Sequence, residues 1–494
     1  MDNEVLNQGD KVKVHRSSRI AAGILGFALV TTACGARFPR PAAQAGGETT
    51  VGGTGQVVNP QTGEVTQVTP TTGPDATGSP EPGASPGSTS EPGTPSGTHP
   101  PSGNGGGLPS SAPTTSTGGP VDAGIKTGVS ASTIKIAYLI PKSGAGQVPP
   151  QVDQGIRNYW EYLKTKGGIF GRNVTVDIID TKSSESGARA AAQKALDDGN
   201  FIVAALDRLG VQGAIAKFLD PKGIPNVEVQ VPVDLPQSMK WTFGISIDHR
   251  YQGTMIADYM SKVLKVKTVG YVRENDDTLK PGVSAFEAEA KRLGMKVVVA
   301  DTIDASQSQF LSEASKIASA KPAACWLYMA PTPAASLATS TQNDGFHPTW
   351  FANSISWNFN IGLTAAPAAF QGAKAFSPWP SLNDPRAKFY RDNYSASGPP
   401  SLQDLGLPGW GLGQVIAAAL KSAGKDLGRN SYRNAMQHLQ LGSTSPVEGT
   451  PLLWSPLKFV EGQRQGGNSV VTYKTKGSGS NLAWTTETDY RTGY

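Results

Sequence analysis

With 494 residues, 58 Gly, 37 Pro and a net charge of only +5, the chain cannot be core throughout, yet it holds enough ordinary sequence for two lobes. No basic block with interleaved aromatics occurs, which excludes a nucleic-acid partner. Only two cysteines, Cys34 and Cys325, are present, which excludes a disulfide framework, and Cys325 in AACWLYM reads as a buried free thiol.

Lys11, Lys13, Arg16 and Arg19 precede the apolar run IAAGILGFALV (residues 20–30). That run is too short to span about 30 Å of hydrocarbon as a helix and suits the apolar region of a signal peptide. Thr31, Thr32 and Ala33 then lead into Cys34, which resembles a bacterial lipoprotein signal with Thr31 where a Leu is usual. The resemblance implies lipidation of Cys34 after cleavage, residues 1–34 being signal and anchor; several acyl chains there would hold firmly, at about 0.8 kcal/mol per buried methylene. Residues 35–128 run through TGPDATGSPEPGASPGSTSEPGTPSGTHPP, with too few apolar side chains to offset about 1–2 kcal/mol of ordering cost per residue. A disordered tether is expected, spanning on the order of 50 Å. Gly83-Ala84-Ser85-Pro86-Gly87 matches G-x-S-x-G, but no strand–turn–helix surrounds it, so no hydrolase site is read there.

From residue 129 the pattern changes. IKIAYLI (134–140) predicts a strand, and Val152, Ile156, Tyr159 or Trp160, and Leu163 mark one face of a helix. GGIFGR (167–172) ends that helix, NVTVDIID (173–180) is a second strand, and helix–strand pairs follow to FIVAAL (201–206) and IPNVEVQ (224–230). After WTFGISIDHRYQG (241–253) the rhythm restarts, with helices near 254–264, 283–293, 310–319 and 334–343 preceding TVGYV, KVVVADTI, ACWLYM and TWFAN. Strands this apolar have no wet face, so each half predicts a parallel sheet covered on both sides. Ligands in such sheets sit outside the carboxyl ends of the strands, here in a cleft between two lobes.

IKIAYLIPKSG, KTKGGIFGRNVTVDIID and FGISIDHRYQGTMIADYM resemble the branched-chain amino-acid (Leu/Ile/Val-binding-like) type of extracellular solute-binding protein, over nearly all of residues 129–494. The resemblance implies a type I periplasmic-binding fold. Its fold class is α/β, two doubly wound parallel-sheet lobes joined by a three-strand hinge. On that pattern the first lobe takes 129–245 and 374–445, and the second takes 246–373 and 446–494. PGWGLGQVIAAALKSAG (408–424) would close the first lobe; LLWSPLKFV (452–460) and SVVTYKT (469–475) would complete the second. The implied role is capture of a small polar solute, an amino acid or amide-like compound, for the permease subunits of an ABC importer. The same fold could instead report a ligand to a signalling partner.

Amino-acid-binding members of that family carry Ser and Thr after the third and fourth strands to hold the ligand carboxylate. The matching stretches here, LDRLGVQGA and VEVQVPVD, lack those hydroxyls. The resemblance therefore points to Asp207, Arg208, Gln212, Glu228 and Gln230 in the first lobe, and to Asp277, Tyr328, Ser354 and Trp357 in the second, with Ser143 in the loop after the first strand. Each has a plainer alternative: Asp207 could pair with Arg208, Glu228 could cap a helix, Asp277 could be a solvated loop charge, and the aromatics could be core. A simple α-amino acid loses its expected partners at both charged ends, at a cost of several kcal/mol for each end left unpaired. The five histidines show no metal spacing, and GWGLG (409–413) lacks the spacing of a dinucleotide loop. No metal, cofactor or catalysis is expected. The expected protein is a monomer, lipid-anchored at the extracellular face of the cytoplasmic membrane.

Overall fold

The computed structural model describes residues 56–58, 65–67 and 123–494, apart from 145, 234, 236–238, 353–358 and 399. The signal segment and Cys34 lie outside the described residues. Gln56–Val58 (β1) and Val65–Gln67 (β2) pair antiparallel, with Val57 opposite Thr66. The pair lies within the stretch expected as a tether. Both strands are rich in β-branched residues and flank the turn-forming sequence NPQTGE, although two strands alone are only marginally stable in water.

The body begins before residue 129. Ala123 is buried, and the carbonyls of Ala123 and Ile125 accept hydrogen bonds from the Asn430 and Arg429 amides at 3.0 and 2.9 Å. Thr133–Ile140 (β3), Asn173–Asp180 (β4), Ile202–Ala205 (β5), Asn226–Glu228 (β6) and Thr242–Ile247 (β7) then form a parallel sheet in the order β7-β6-β5-β3-β4. Ile134, Ile136 and Tyr138 of β3 enter one core with Trp160, while Ala137 and Leu139 enter another on the opposite face beneath the helix Glu185–Asp197. Burial on both faces is what the near-continuous apolar run of β3 encodes. The helix Gln151–Thr165 ends at Gly167 and Gly168, with φ of +89° and +64°, and the Gly168 amide returns to the Leu163 carbonyl at 3.0 Å. Only glycine takes two such angles in succession without steric cost, so GGIFGR stops the helix as expected.

Thr268–Glu274 (β8), Lys296–Ile303 (β9), Ala324–Tyr328 (β10), Thr349–Ala352 (β11) and Lys374–Ser377 (β12) make the second parallel sheet, ordered β12-β11-β10-β8-β9. Gln440–Leu441 (β13), Leu457–Lys458 (β14) and Gln465–Gly467 (β15) extend the first sheet beyond β7, and Val470–Lys476 (β16) with Ala483–Arg491 (β17) extend the second beyond β12. Two α/β lobes result, and the chain passes between them after β7, after β12 and after β15.

The sheet membership differs from the expected division at two places. Residues 374–377 belong to the second sheet, because Ala375 and Phe376 are buried on opposite faces of a strand held between β11 and β16. The stretch 452–460 belongs to the first lobe: Leu453, Trp454, Leu457 and Phe459 join its core, and Trp454 Nε1 donates to the Ile245 carbonyl at 2.9 Å. The glycines of GWGLG also find their purpose. They lie in the buried helix Gly406–Ser422, where Gly409 and Gly413 let it press onto the helix Gln151–Thr165; a Cβ on Gly413 would come within 2.3 Å of the Tyr159 ring. No described helix is long and apolar enough to cross a membrane.

Candidate ligand cleft

A cavity of about 180 Å³ opens where the carboxyl ends of β3, β5 and β6 face those of β8 and β10. The first lobe contributes the loop after β3, with Gln147 and Val148, then Asp207, Arg208 and Leu209 after β5, and Gln230 after β6. The second contributes Glu274, Asp276 and Leu279 after β8, with Ala330 and Thr332 after β10.

Asp207 leaves β5 and is buried. Its Oδ1 accepts from the Arg208 amide at 2.6 Å and its Oδ2 from the Thr181 hydroxyl. Burial pushes its carboxyl up to about 6, against the opposing pull of the Thr181 and Arg208 hydrogen bonds. Arg208 stands in extended conformation immediately before the helix Leu209–Leu219. Its stem lies beneath Gly146, where a Cβ would approach Arg208 Cδ to 3.1 Å. From there the guanidinium crosses to the other lobe, with Nη2 donating to Glu274 Oε2 at 2.7 Å.

Glu274 closes β8 and is itself anchored. Its Oε1 accepts from the Ala330 amide at 2.8 Å, where the helix Pro331–Asn343 begins, so the carboxylate also meets the positive end of a helix. Asp276 turns its Oδ1 to the amide and hydroxyl of Thr278, at 2.9 and 2.5 Å. Its Oδ2 faces Gly210 across the cavity, at 3.4 Å from where a Cβ would stand. Charge-assisted pairing and carboxylates at strand ends suit recognition of polar groups, while Leu209, Leu279, Leu405 and several prolines supply apolar wall.

Of the residues read from the sequence, the structure brings Asp207, Arg208 and Gln230 to the cavity. The other described ones lie elsewhere. Gln212 sits behind the wall as a clamp, its Nε2 donating to the Asp207 carbonyl at 2.6 Å and its Oε1 accepting from the Gln230 amide at 3.2 Å. Glu228 lies fully buried inside the first sheet beside Asn226, whose Nδ2 donates to it at 2.6 Å. Ser143 is held away by Asp180, its hydroxyl donating at 2.6 Å. Asp277 is a solvated charge paired with Lys280 at 2.8 Å. Tyr328 points into the second-lobe core, stacked on Trp326 at 4.4 Å and bonded to buried His249. Ser354 and Trp357 lie outside the described residues. Asp276, which the sequence offers with Asp277 as a loop charge in NDDTLKPG, lines the cavity, and Glu274 lines it without having been read from the sequence. Glu274 is the final residue of a strand that runs two positions beyond the TVGYV read from the sequence, whereas nothing in the sequence points Leu405 at the cleft.

Among the described residues no group of three His, Cys, Asp or Glu side chains converges as a metal site. Cys325 is fully buried in β10, and burial raises its thiol far above the ordinary range.

Two doubly wound lobes, three connections and a cavity between facing carboxyl edges define a two-lobed solute-binding architecture. The chain belongs to the periplasmic binding protein family, whose profile matches residues 133–477. A Leu/Ile/Val-binding protein homologue from Brucella melitensis is 24% identical over 190 residues, 38% of this chain and 52% of its own, so the chain spans about half the length of that relative. Solved structures share the fold. A leucine-binding protein from Thermotoga maritima aligns with a TM-score of 0.60 at 18% identity, covering 72% of this chain and 97% of its own. A fatty acid ABC transporter substrate-binding protein from Thermomonospora curvata aligns with 0.62 at 17%, covering 74% and 94%. By name, the Brucella and Thermotoga proteins are of the branched-chain amino-acid-binding type that the sequence resembles.

Proposed function

We propose that this protein is the extracellular substrate-binding component of an ABC importer, capturing a small polar solute by closing two lobes on it and releasing it unchanged. The observation that carries this reading is the cavity itself, walled by strand ends of both lobes and crossed by the Arg208–Glu274 ion pair. A ligand touching both walls binds the closed form better than the open one, and that difference drives closure. A permease that distinguishes closed from open would then receive only loaded protein. Supporting the same reading, the relatives include proteins named as transporter components. The front segment fits the scheme, with Cys34 as lipid anchor and the Pro/Gly-rich stretch as tether on the outer face of the membrane.

A thermal-shift screen of amino acids, amides, short peptides, sugars and aromatic acids tests the proposal, since a ligand raises the melting point by mass action. For any ligand found, Arg208→Ala and Gln230→Ala should each weaken binding at least tenfold, with little change in the melting temperature of the unliganded protein for Gln230→Ala. Unchanged affinity in both variants would remove the first-lobe wall from the site, and turnover of the ligand on prolonged incubation would contradict simple capture.

A further inference from the structure

A second cavity, about 370 Å³, lies where β7 and β15 leave the first sheet for the second lobe, and it differs in character from the ligand cleft. We infer that this hinge-side cavity is a separate binding site for a small organic anion, with Arg464 as its principal charge partner.

Position comes first. β7 and β15 are parallel neighbours, and each runs directly into the second lobe, through Asp248 and through Asn468. The cavity has walls from both lobes: Val231, Pro232 and Leu235 with Arg464 on one side, Arg250 and Tyr251 on the other. Its lining shares no residue with that of the cleft: after β6, Gln230 lines the cleft and the next residue, Val231, lines this cavity.

Charge comes second. Asp248, the carboxylate in the wall, is already occupied by Arg250, whose Nη2 and Nε donate to it at 3.0 and 3.3 Å. Lys458 and Arg464 remain, and among the described residues neither has an ion-pair partner. Asp220, the carboxylate whose charge reaches Arg464, turns its oxygens to the Lys240 and Trp241 amides at 3.1 and 2.7 Å. The wall therefore carries an excess of positive charge, opposite to the cleft, where Asp207, Glu274 and Asp276 outnumber Arg208.

The state of Arg464 is the third observation. It is half-buried, its Nε is sealed from solvent without a hydrogen-bond partner, and its guanidinium lies 6.0 Å from the Phe243 ring centre. The backbone cannot carry it away, because its carbonyl accepts from the Gly244 amide at 2.6 Å inside the sheet. A half-desolvated guanidinium held at a cavity wall lacks the counter-charge that normally offsets its burial, and an anion entering the cavity supplies it. Pro232, Leu235 and the exposed Tyr251 and Val460 surround that charge with apolar surface, which selects a carboxylate with an apolar body over an inorganic ion.

The test is a ligand-observed NMR titration of the full-length protein with butyrate, benzoate and inorganic phosphate, repeated with Arg464→Gln, Lys458→Gln and Arg208→Gln. Saturable binding of a carboxylate is expected, at least tenfold weaker in Arg464→Gln, two- to fivefold weaker in Lys458→Gln, and less affected by Arg208→Gln than by Arg464→Gln. Lys458 is exposed, so its variant remains informative if Arg464→Gln proves unstable. Equal binding in wild type and both hinge-side variants would overturn the site. Loss in Arg208→Gln with retention in Arg464→Gln would place the probe in the cleft and also overturn it. Binding of phosphate alone would overturn the organic class.

Discussion

The ion pair across the cleft makes a quantitative demand. Glu274→Gln keeps an acceptor for the Ala330 amide but removes the charge that Arg208 meets at 2.7 Å. The two side chains are 27% and 7% exposed, which places the pair between a surface bridge, worth about 0–1 kcal/mol, and a buried one, whose rupture costs about 3–5 kcal/mol. With one partner a quarter exposed, about 1–2 kcal/mol is expected. Because the pair joins the two lobes, that loss falls on the closed, unliganded form and shifts it about 5–30-fold toward open. Amide hydrogen exchange of the unliganded protein reads the shift directly. Peptides covering residues 207–212 and 328–333 should exchange about 5–30-fold faster in Glu274→Gln, while β3, deep in the first core, should exchange at the wild-type rate. Identical rates in the cleft peptides would refute the idea that this pair holds the empty lobes together.

Two further outcomes rest on the structure and a third on the sequence. Burial raises the Glu228 carboxyl well above its ordinary value, so above about pH 4.3 the folded state keeps a proton that the unfolded chain gives up. Stability contributed by that proton is full below the unfolded value and declines as pH rises; Glu228→Gln should therefore melt higher than wild type at pH 8, with the difference shrinking toward pH 4.5, and parallel melting curves at all pH values would refute this. Gly413→Ala forces a methyl against the Tyr159 ring and should cost about 1–3 kcal/mol, seen as a melting point lowered by several degrees; an unchanged melting point would mean the two helices separate freely. Cys34→Ser should move the protein from the detergent phase to the aqueous phase on partition of cells that process the signal, and retention in the detergent phase would remove Cys34 as the anchor.

Much of the architecture was legible in order along the chain. Strands such as IKIAYLI and ACWLYM are apolar on both faces, glycine pairs such as Gly167-Gly168 stop helices by their backbone angles, and these are local properties that composition and spacing expose. The restart of the strand–helix rhythm after residue 253 similarly announced two lobes. What failed was assignment of late segments to a sheet. Lys374–Ser377 and Leu457–Lys458 are short strands that could complete either sheet, and only their neighbours, β11 and β16 for one and β13 and β15 for the other, decide it.

The site shows the same boundary. From sequence, the residues after β5 and β6 stand at the strand ends where ligands gather, and Asp207, Arg208 and Gln230 do line the cavity. Direction is another matter. Glu228 and Tyr328 lie on cleft-directed strands yet face inward, because a strand end fixes position but the packing on either side fixes which way a side chain turns. Arg208 and Glu274 lie 66 positions apart on different lobes, and no periodicity relates them. The elements are readable along the chain because helix, strand and turn preferences act between near neighbours. The partnership across the cleft is not, because a Coulomb contact depends on distance in space, which the folding of two separate sheets sets.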